Sequence, residues 1–141
     1  MKRSAAIGCA VLFAAVVACL GQYPSLANVQ RVYIDKLGNN DDAERFRSVG
    51  ARELQHIGFA TASSPEDADA ILKGTFTFAN WGEKSGGQLN FRLMSRDDKE
   101  IWAGSVADKI KPGRDSMQWV AQEFAKQLKK RKEQAAKADG R

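Results

Sequence analysis

The sequence predicts an α+β fold: an antiparallel meander sheet with two long helices packed on one face, in the order β-α-β-β-β-β-α. Two observations predict this class. Segments with an apolar residue at every second position fill the middle of the chain, and segments with apolar residues at helical spacing lie before and after them. No internal repeat or long linker divides the chain, so we expect a single domain over residues 28–130.

The first half of the chain carries four predicted elements: a strand at 29–35, a helix at 41–58, a short strand at 59–62 and a helical turn within 63–68. In the first strand, Val32 and Ile34 alternate with polar residues. The helix has apolar residues at steps of three or four, and Asp41 followed by Glu44 resembles a capping box at its start. Pro65 suits the first position of the helical turn.

The second half carries the remaining elements, which are strands at 70–79, 88–94 and 100–107 and a final helix that begins at Asp115. Apolar residues occupy alternate positions of the first two strands, so each has one face for the core. The glycine-rich residues 82–87 form the hairpin between them, and residues 97–99 form the next tight turn. Asp115 is the expected N-cap of the final helix, whose apolar stripe includes Val120 and Phe124.

The first 27 residues read as an export signal. Lys2 and Arg3 precede 16 residues without charge, from Ala5 to Leu20, that are mostly Ala and Val. A membrane-spanning helix needs about 20 strongly apolar residues, so a permanent span is the weaker interpretation. The protein is therefore expected to act outside the cytoplasm.

Two processing sites compete at the end of this signal. The residues that end at Cys19, Val-Val-Ala-Cys, resemble a bacterial lipobox, in which Cys19 is acylated and anchors the mature chain to a membrane. The alternative is ordinary cleavage after Ala27, which releases a soluble periplasmic or secreted protein. Cys9 and Cys19 are the only cysteines, so the mature domain holds no disulfide bond. We expect a periplasmic, membrane-anchored lipoprotein.

Positive charge is concentrated at the C-terminal end. Residues 126–141 carry a net charge of +5, and Lys2 and Arg3 leave with the signal, so the remaining body has a net charge of −2. Nucleic acid is therefore not an expected partner. Residues 131–141 are expected to form a basic, disordered or frayed tail in solvent. The alternative interpretation is attraction of this tail to anionic lipid headgroups.

Several local patterns resemble those of small periplasmic lipoprotein domains: Gly58-Phe59 at the end of the first helix, Ala-Asp-Ala-Ile-Leu-Lys-Gly over 68–74, and Ile-Trp-Ala-Gly over 101–104. They resemble the curli-secretion-channel type, the TolB amino-terminal type and the penicillin-binding-protein activator lipoproteins, over most of residues 28–130. The resemblance implies an assembly or regulatory subunit of the cell envelope, without enzymatic activity. The chain lacks the channel-forming insertions of the secretion type, so pore formation is not implied.

Residues that would support catalysis are sparse. His56 is the only histidine, and with no mature cysteine other than Cys19 a zinc site or a Cys-His pair has too few ligands. Candidate serine nucleophiles are present, namely Ser63, Ser85, Ser95, Ser105 and Ser116, but none lies in a Gly-x-Ser-x-Gly elbow. Residues 82–85 do not match a phosphate loop. The acidic pairs fall at caps and turns, without the spacing of a calcium site. We therefore predict no enzyme activity, metal or cofactor.

The function predicted from the sequence is an envelope assembly or regulatory protein that acts by protein–protein binding. Trp81 and Lys84, at the hairpin, are the candidate partner contacts, beside an edge formed by the strand at 59–62. The first alternative is a soluble periplasmic or secreted ligand-binding protein. A hydrolase without a recognisable motif is the second.

Overall fold

The computed structural model describes residues 25–81, 84–108, 111–112 and 115–139. At positions 80, 81, 84, 85, 111, 112 and 139 it describes the backbone but not the side chain. The longer elements in this part of the chain are β1 Arg31–Ile34, α1 Asp41–His56, β2 Ala60–Thr61, β3 Ala70–Trp81, β4 Lys84–Ser95, β5 Glu100–Ala107, β6 Lys111–Pro112 and α2 Ser116–Asp139. Short 3-10 helices span Leu26–Asn28 and Pro65–Asp67. The predicted α+β class is confirmed.

The strands form one mixed sheet in the order β2-β1-β3-β4-β5, and β6 pairs with the start of β4. β3, β4 and β5 form the predicted antiparallel meander. β1, however, is parallel to both of its neighbours, with Arg31 opposite Ala60 and Tyr33 opposite Ile71. The sheet is therefore only mostly antiparallel, because α1 and the 62–69 connection each return the chain to the end of the sheet where β1 begins.

The core lies between one face of the sheet and the two helices. Phe46 of α1 stacks on Phe76 of β3 with ring centroids 4.2 Å apart, and Phe124 of α2 meets Phe91 of β4 edge-on at 4.9 Å. Fully buried aliphatic residues fill the space around these rings: Leu37, Leu54, Leu72, Leu89, Leu93, Leu128, Val29, Val32 and Val120. Both predicted apolar stripes therefore face the sheet, which leaves the opposite face and the two edges accessible.

α1 begins one residue earlier than the capping-box pattern suggests. The side chain of Asn40, instead of Asp41, accepts a hydrogen bond from the backbone N–H of Ala43 at 2.8 Å. Asn is as good an N-cap as Asp, so the pattern alone did not distinguish the two residues. Asp41 and Asp42 lie in the first helical turn, where their negative charge is favourable.

α2 starts as predicted and continues further than expected. The Asp115 carboxylate accepts hydrogen bonds from the N–H groups of Met117 (3.1 Å) and Gln118 (3.3 Å), the geometry of an N-cap. The helix then extends to Asp139, through the segment that the sequence predicts to be a disordered or frayed tail. Lys132 helps to hold this segment, since its Nζ donates to the Val29 carbonyl at 2.6 Å. Residues 133–138, which follow Lys132, are all strong helix formers.

Gly74 permits the close approach of β3 and β4. Its φ is +148°, and a Cβ at this position would lie 1.9 Å from the backbone oxygen of Asn90 on the neighbouring strand. Only glycine combines this φ with such a contact. The Gly in the 68–74 sequence pattern thus has a structural role in strand pairing.

Candidate interaction surface

The sheet face away from the helices is built from rows of side chains on β3, β4 and β5. Thr75, Asn90 and Ser105 lie opposite one another on the three strands, and Thr77, Gln88 and Ala107 form the next row. All six are exposed. The face is polar because the alternating apolar residues of each strand point towards the helices.

Ion pairs cover one end of this face. The Arg92 Nε lies 3.0 Å from a carboxylate oxygen of Glu100, and the Lys73 Nζ lies 3.6 Å from one of Asp98. All four side chains are about half exposed or more, so each pair contributes little to stability. Among the described side chains, these pairs define a charged zone near the β4–β5 turn. The two rows named above form an uncharged zone on the side of the β3–β4 hairpin.

The outer edge of β5 borders the uncharged zone. The Asp108 N–H donates to the Gly87 carbonyl at 2.9 Å. Because the backbone groups of an antiparallel strand point alternately to its two sides, those of Ala103, Ser105 and Ala107 point away from β4. No strand within the described part of the chain pairs with β5 on that side. We call these outward groups the β5 edge.

Within the described residues, the devices that usually protect an edge strand are confined to the Glu100 end of β5. Glu100 is the only charged residue of β5, and the irregular register with β4 lies at the same end, between Leu93 and Met94. From Ile101 to Ala107 the strand has neither charge nor proline. The residues whose backbone groups point away from β4 have small side chains: Ala103, Ser105 and Ala107. Lys, Pro or a bulge would normally discourage pairing with another chain.

The opposite edge of the sheet is protected. β2 is only two residues long, and beyond its end the Arg47 Nε donates to the Ile34 carbonyl at 2.9 Å. The guanidinium also lies 5.8 Å from the centre of the Tyr33 ring and 2.9 Å from the Glu44 carboxylate. Arg47 therefore occupies a backbone acceptor that an added strand would need. The two edges differ in accessibility.

The residues considered for catalysis have structural roles or exposed positions. His56 is largely exposed, and its Nδ1 lies 3.6 Å from the Glu53 carboxylate. Glu53 is buried and accepts a hydrogen bond from Gln118. The buried Ser116 hydroxyl accepts from the Gly87 N–H at 2.7 Å. Ser95, also buried, accepts from a backbone N–H in the β4–β5 turn.

The acidic residues are likewise used locally. One carboxylate oxygen of Asp69 accepts hydrogen bonds from the N–H groups of Gln30 (3.0 Å) and Arg31 (2.9 Å), which fixes the start of β1. Asp98 has a φ of 64° in the β4–β5 turn. Among the described residues, no group of three or more His, Cys, Asp or Glu side chains could hold a metal ion.

The predicted contact and anchor residues lie outside what the structure describes. Cys19 precedes the first described residue, and the side chains of Trp81 and Lys84 are not described, although their backbones pair at the end of the β3–β4 hairpin. The expected proximity of Trp81 to the strand at 59–62 is wrong. β2 pairs with β1 near the start of β3, and Trp81 is the last residue of that 12-residue strand. Measured along β3, Trp81 therefore lies about 35 Å from the level of β2.

Sequence reasoning missed the β5 edge, although a signal was present. The last strand of a meander lies at an edge unless another strand joins it, and residues 101–107 contain no charge.

None of the helices in the described part of the chain has the length and apolar character needed to cross a bilayer.

Comparison with known proteins defines the class of fold. Two structures of the PelC dodecamer from Paraburkholderia phytofirmans align with the chain. One, of a variant, is 18% identical, with a TM-score of 0.57 over 77% of this chain and 92% of PelC. The other is 16% identical, with a TM-score of 0.54 over 74% and 89%. The chain is thus an α+β protein that shares the PelC fold.

A minor lipoprotein from Acinetobacter baumannii also aligns, with 13% identity and a TM-score of 0.44 over 78% of this chain and 95% of that protein. No protein-family model and no curated protein matches the chain. At these identities the likeness to PelC concerns the fold.

Proposed function

We propose that this chain is a lipid-anchored, non-catalytic protein of the cell envelope that binds another polypeptide through the β5 edge. The single observation that carries the proposal is the contrast between the two sheet edges. Arg47 blocks a carbonyl at one edge, whereas Ala103, Ser105 and Ala107 leave the backbone of the other accessible. An edge strand with seven successive uncharged residues, 101–107, is a template for strand addition.

The sequence supports the anchor and the location. The basic, apolar and small-residue regions of a signal precede Cys19, and acylation there would leave six residues before the first 3-10 helix begins after Ser25. Leu26, in that helix, is buried in the core. The fold would therefore start directly beyond a short tether, so the domain would stand close to the membrane.

The β5 edge suits an extended peptide or strand without charge. Side chains of an added strand would lie beside Ala103, Ser105 and Ala107 on the outer face, where small residues leave room for them. Binding of this type gains affinity from backbone hydrogen bonds and specificity from the adjoining side chains. A second copy of the chain is one candidate, since the PelC structures that share the fold are dodecamers.

The anchor is tested by the intact mass of the mature protein isolated from membranes. We expect a chain that begins at Cys19 and carries acyl groups, and a Cys19→Ala variant without the lipidated species. A mature chain that begins at Asn28 and carries no lipid would contradict the anchor and favour the soluble alternative.

The binding surface is tested by a matched pair of lysine substitutions. Ser105→Lys places a charge on the β5 edge, whereas Thr75→Lys places one in the same row of exposed side chains on a central strand. Both should change the free energy of unfolding by no more than about 0.5 kcal/mol. We expect only Ser105→Lys to abolish co-purification of the partner, or self-association measured by light scattering. Equal effects of the two variants would contradict the proposal.

A further inference from the structure

We infer that the basic C-terminal half of α2, residues 126–139, docks on an anionic lipid surface at the end of the domain where the chain enters. This inference uses the proposed anchor to place the membrane, and it concerns a surface distinct from the β5 edge. It develops the second of the two interpretations that the sequence leaves open for the basic segment, which is helical to Asp139.

The chain entry and the second half of α2 are neighbours. Ser25 and Leu26 line a surface groove together with Arg131, Gln134 and Ala135. Lys132 connects the helix to the start of β1 through its hydrogen bond to Val29. If Cys19 carries the lipid, six residues allow at most about 20 Å between the membrane anchor and this end of the domain.

The exposed charges of this helical half are mostly positive. Lys126, Lys129, Lys130, Arg131 and Lys137 are exposed, whereas Lys132 is partly buried. Glu133 and Asp139 are the only acidic residues in the same segment. At 100° per residue, Lys126, Lys129, Lys130 and Lys137 share one face of this stretch, which is about 20 Å long. The Arg131 guanidinium lies to one side of that face, 5.8 Å from the centre of the Trp102 ring. Anionic headgroups attract such clusters within about one Debye length of the membrane.

Acidic residues at the same end of the domain do not cancel this charge. Asp69 is held by two backbone N–H groups, Asp98 faces Lys73 and Glu100 faces Arg92. The β4–β5 turn carries two basic and two acidic residues over 96–99, which leaves it neutral. The excess positive charge of this end therefore comes from α2.

The way in which α2 extends past the core also favours a flat surface as the partner of its C-terminal half. Residues 117–128 bury their stripe against the sheet, and Ala135 is the last residue that packs on the core. Ala136, Lys137 and Ala138 are exposed. The end of the helix thus projects beyond the core, and phosphate groups on a bilayer could contact Lys130 and Lys137 on its outward side.

The test uses a fluorophore on the mature protein, reconstituted in vesicles whose headgroups carry a quencher. Ala136→Cys places the label on the helix end, and Thr77→Cys places it on the outer sheet face towards the opposite end of the domain. The mature chain has no competing thiol, because Cys9 leaves with the signal and Cys19 is acylated or removed. Vesicles of phosphatidylcholine alone are compared with vesicles in which about a third of the lipid is phosphatidylglycerol.

We expect the label at position 136, and not that at 77, to be quenched on anionic vesicles, with reversal by salt on the order of 0.5 M. Lys130→Gln with Lys137→Gln should remove the quenching, since each lysine contributes about fivefold to partitioning. Arg45→Gln with Arg52→Gln removes the same charge from exposed positions of α1 and should have no effect.

Equal quenching on neutral and anionic vesicles, or equal losses from the two double variants, would overturn the inference. Flotation on neutral vesicles reports the lipid anchor separately. If the protein does not float there, the proposed anchor fails, while binding of the unanchored chain to anionic vesicles still decides the role of α2. Absence of that binding would overturn the inference as well.

Discussion

Phe124 tests the placement of α2 on the sheet. Its side chain is 1% exposed, and its ring lies edge-on to Phe91 at 4.9 Å and stacked with Trp102 at 6.2 Å. Phe124→Ala removes the buried ring and leaves a cavity, for which the typical cost is about 3–5 kcal/mol. The two aromatic contacts place the expected loss in the upper part of that range, about 4–5 kcal/mol.

A loss of this size is a large share of the stability of a small domain, about 5–15 kcal/mol. Urea unfolding followed by tryptophan fluorescence should therefore show a much lower midpoint with an unchanged slope, and thermal unfolding should shift by about 15 °C or more. Lys126→Ala is the control, because Lys126 is exposed on the same helix. A loss below about 1 kcal/mol for Phe124→Ala, or equal losses for both, would refute this placement of the helix.

Three further predictions concern stability. Gly74→Ala should cost about 3 kcal/mol or more in urea unfolding, since its Cβ would clash with the Asn90 backbone; an unchanged midpoint would contradict the tight strand pairing. Ending the chain after Lys129 should cost about 1–3 kcal/mol, because the Lys132 hydrogen bond is lost, and no change would mean that this helical half is independent of the core. Asp115→Ala should lower the free energy of unfolding by about 1 kcal/mol, because the N-cap hydrogen bonds are lost. Asp115→Asn should keep most of that free energy, because Asn is an equally good N-cap.

Alternation and helical spacing in the sequence determined most of the local structure. β5 has the predicted bounds, and Asp115 caps α2 as expected, because both signals depend on neighbouring residues only. The parallel pairing of β1 was not predictable in the same way. Alternation of Val32 and Ile34 shows which face of the strand is buried, but it does not reveal which strands lie on either side or in which direction they run.

The candidate site depends on that missing information. An edge is defined by strand order, so the protection by Arg47 and the accessibility of Ser105 follow only from the assembled sheet. The proximity assumed between Trp81 and the strand at 59–62 failed for the same reason. The length of α2 was underestimated because a run of charges suggested solvent exposure, whereas Lys132 packs 4.9 Å from the centre of the Phe59 ring.

The most direct test of the central claim is site-specific photo-crosslinking in intact cells. A photoreactive amino acid at position 105 reports on the β5 edge, and the same group at position 75 reports on a central strand in the same exposed row. The proposal predicts a discrete crosslinked product, with another envelope protein or a second copy of the chain, from position 105 and none from position 75. No product from 105, or the same product from both positions, would contradict binding through the β5 edge.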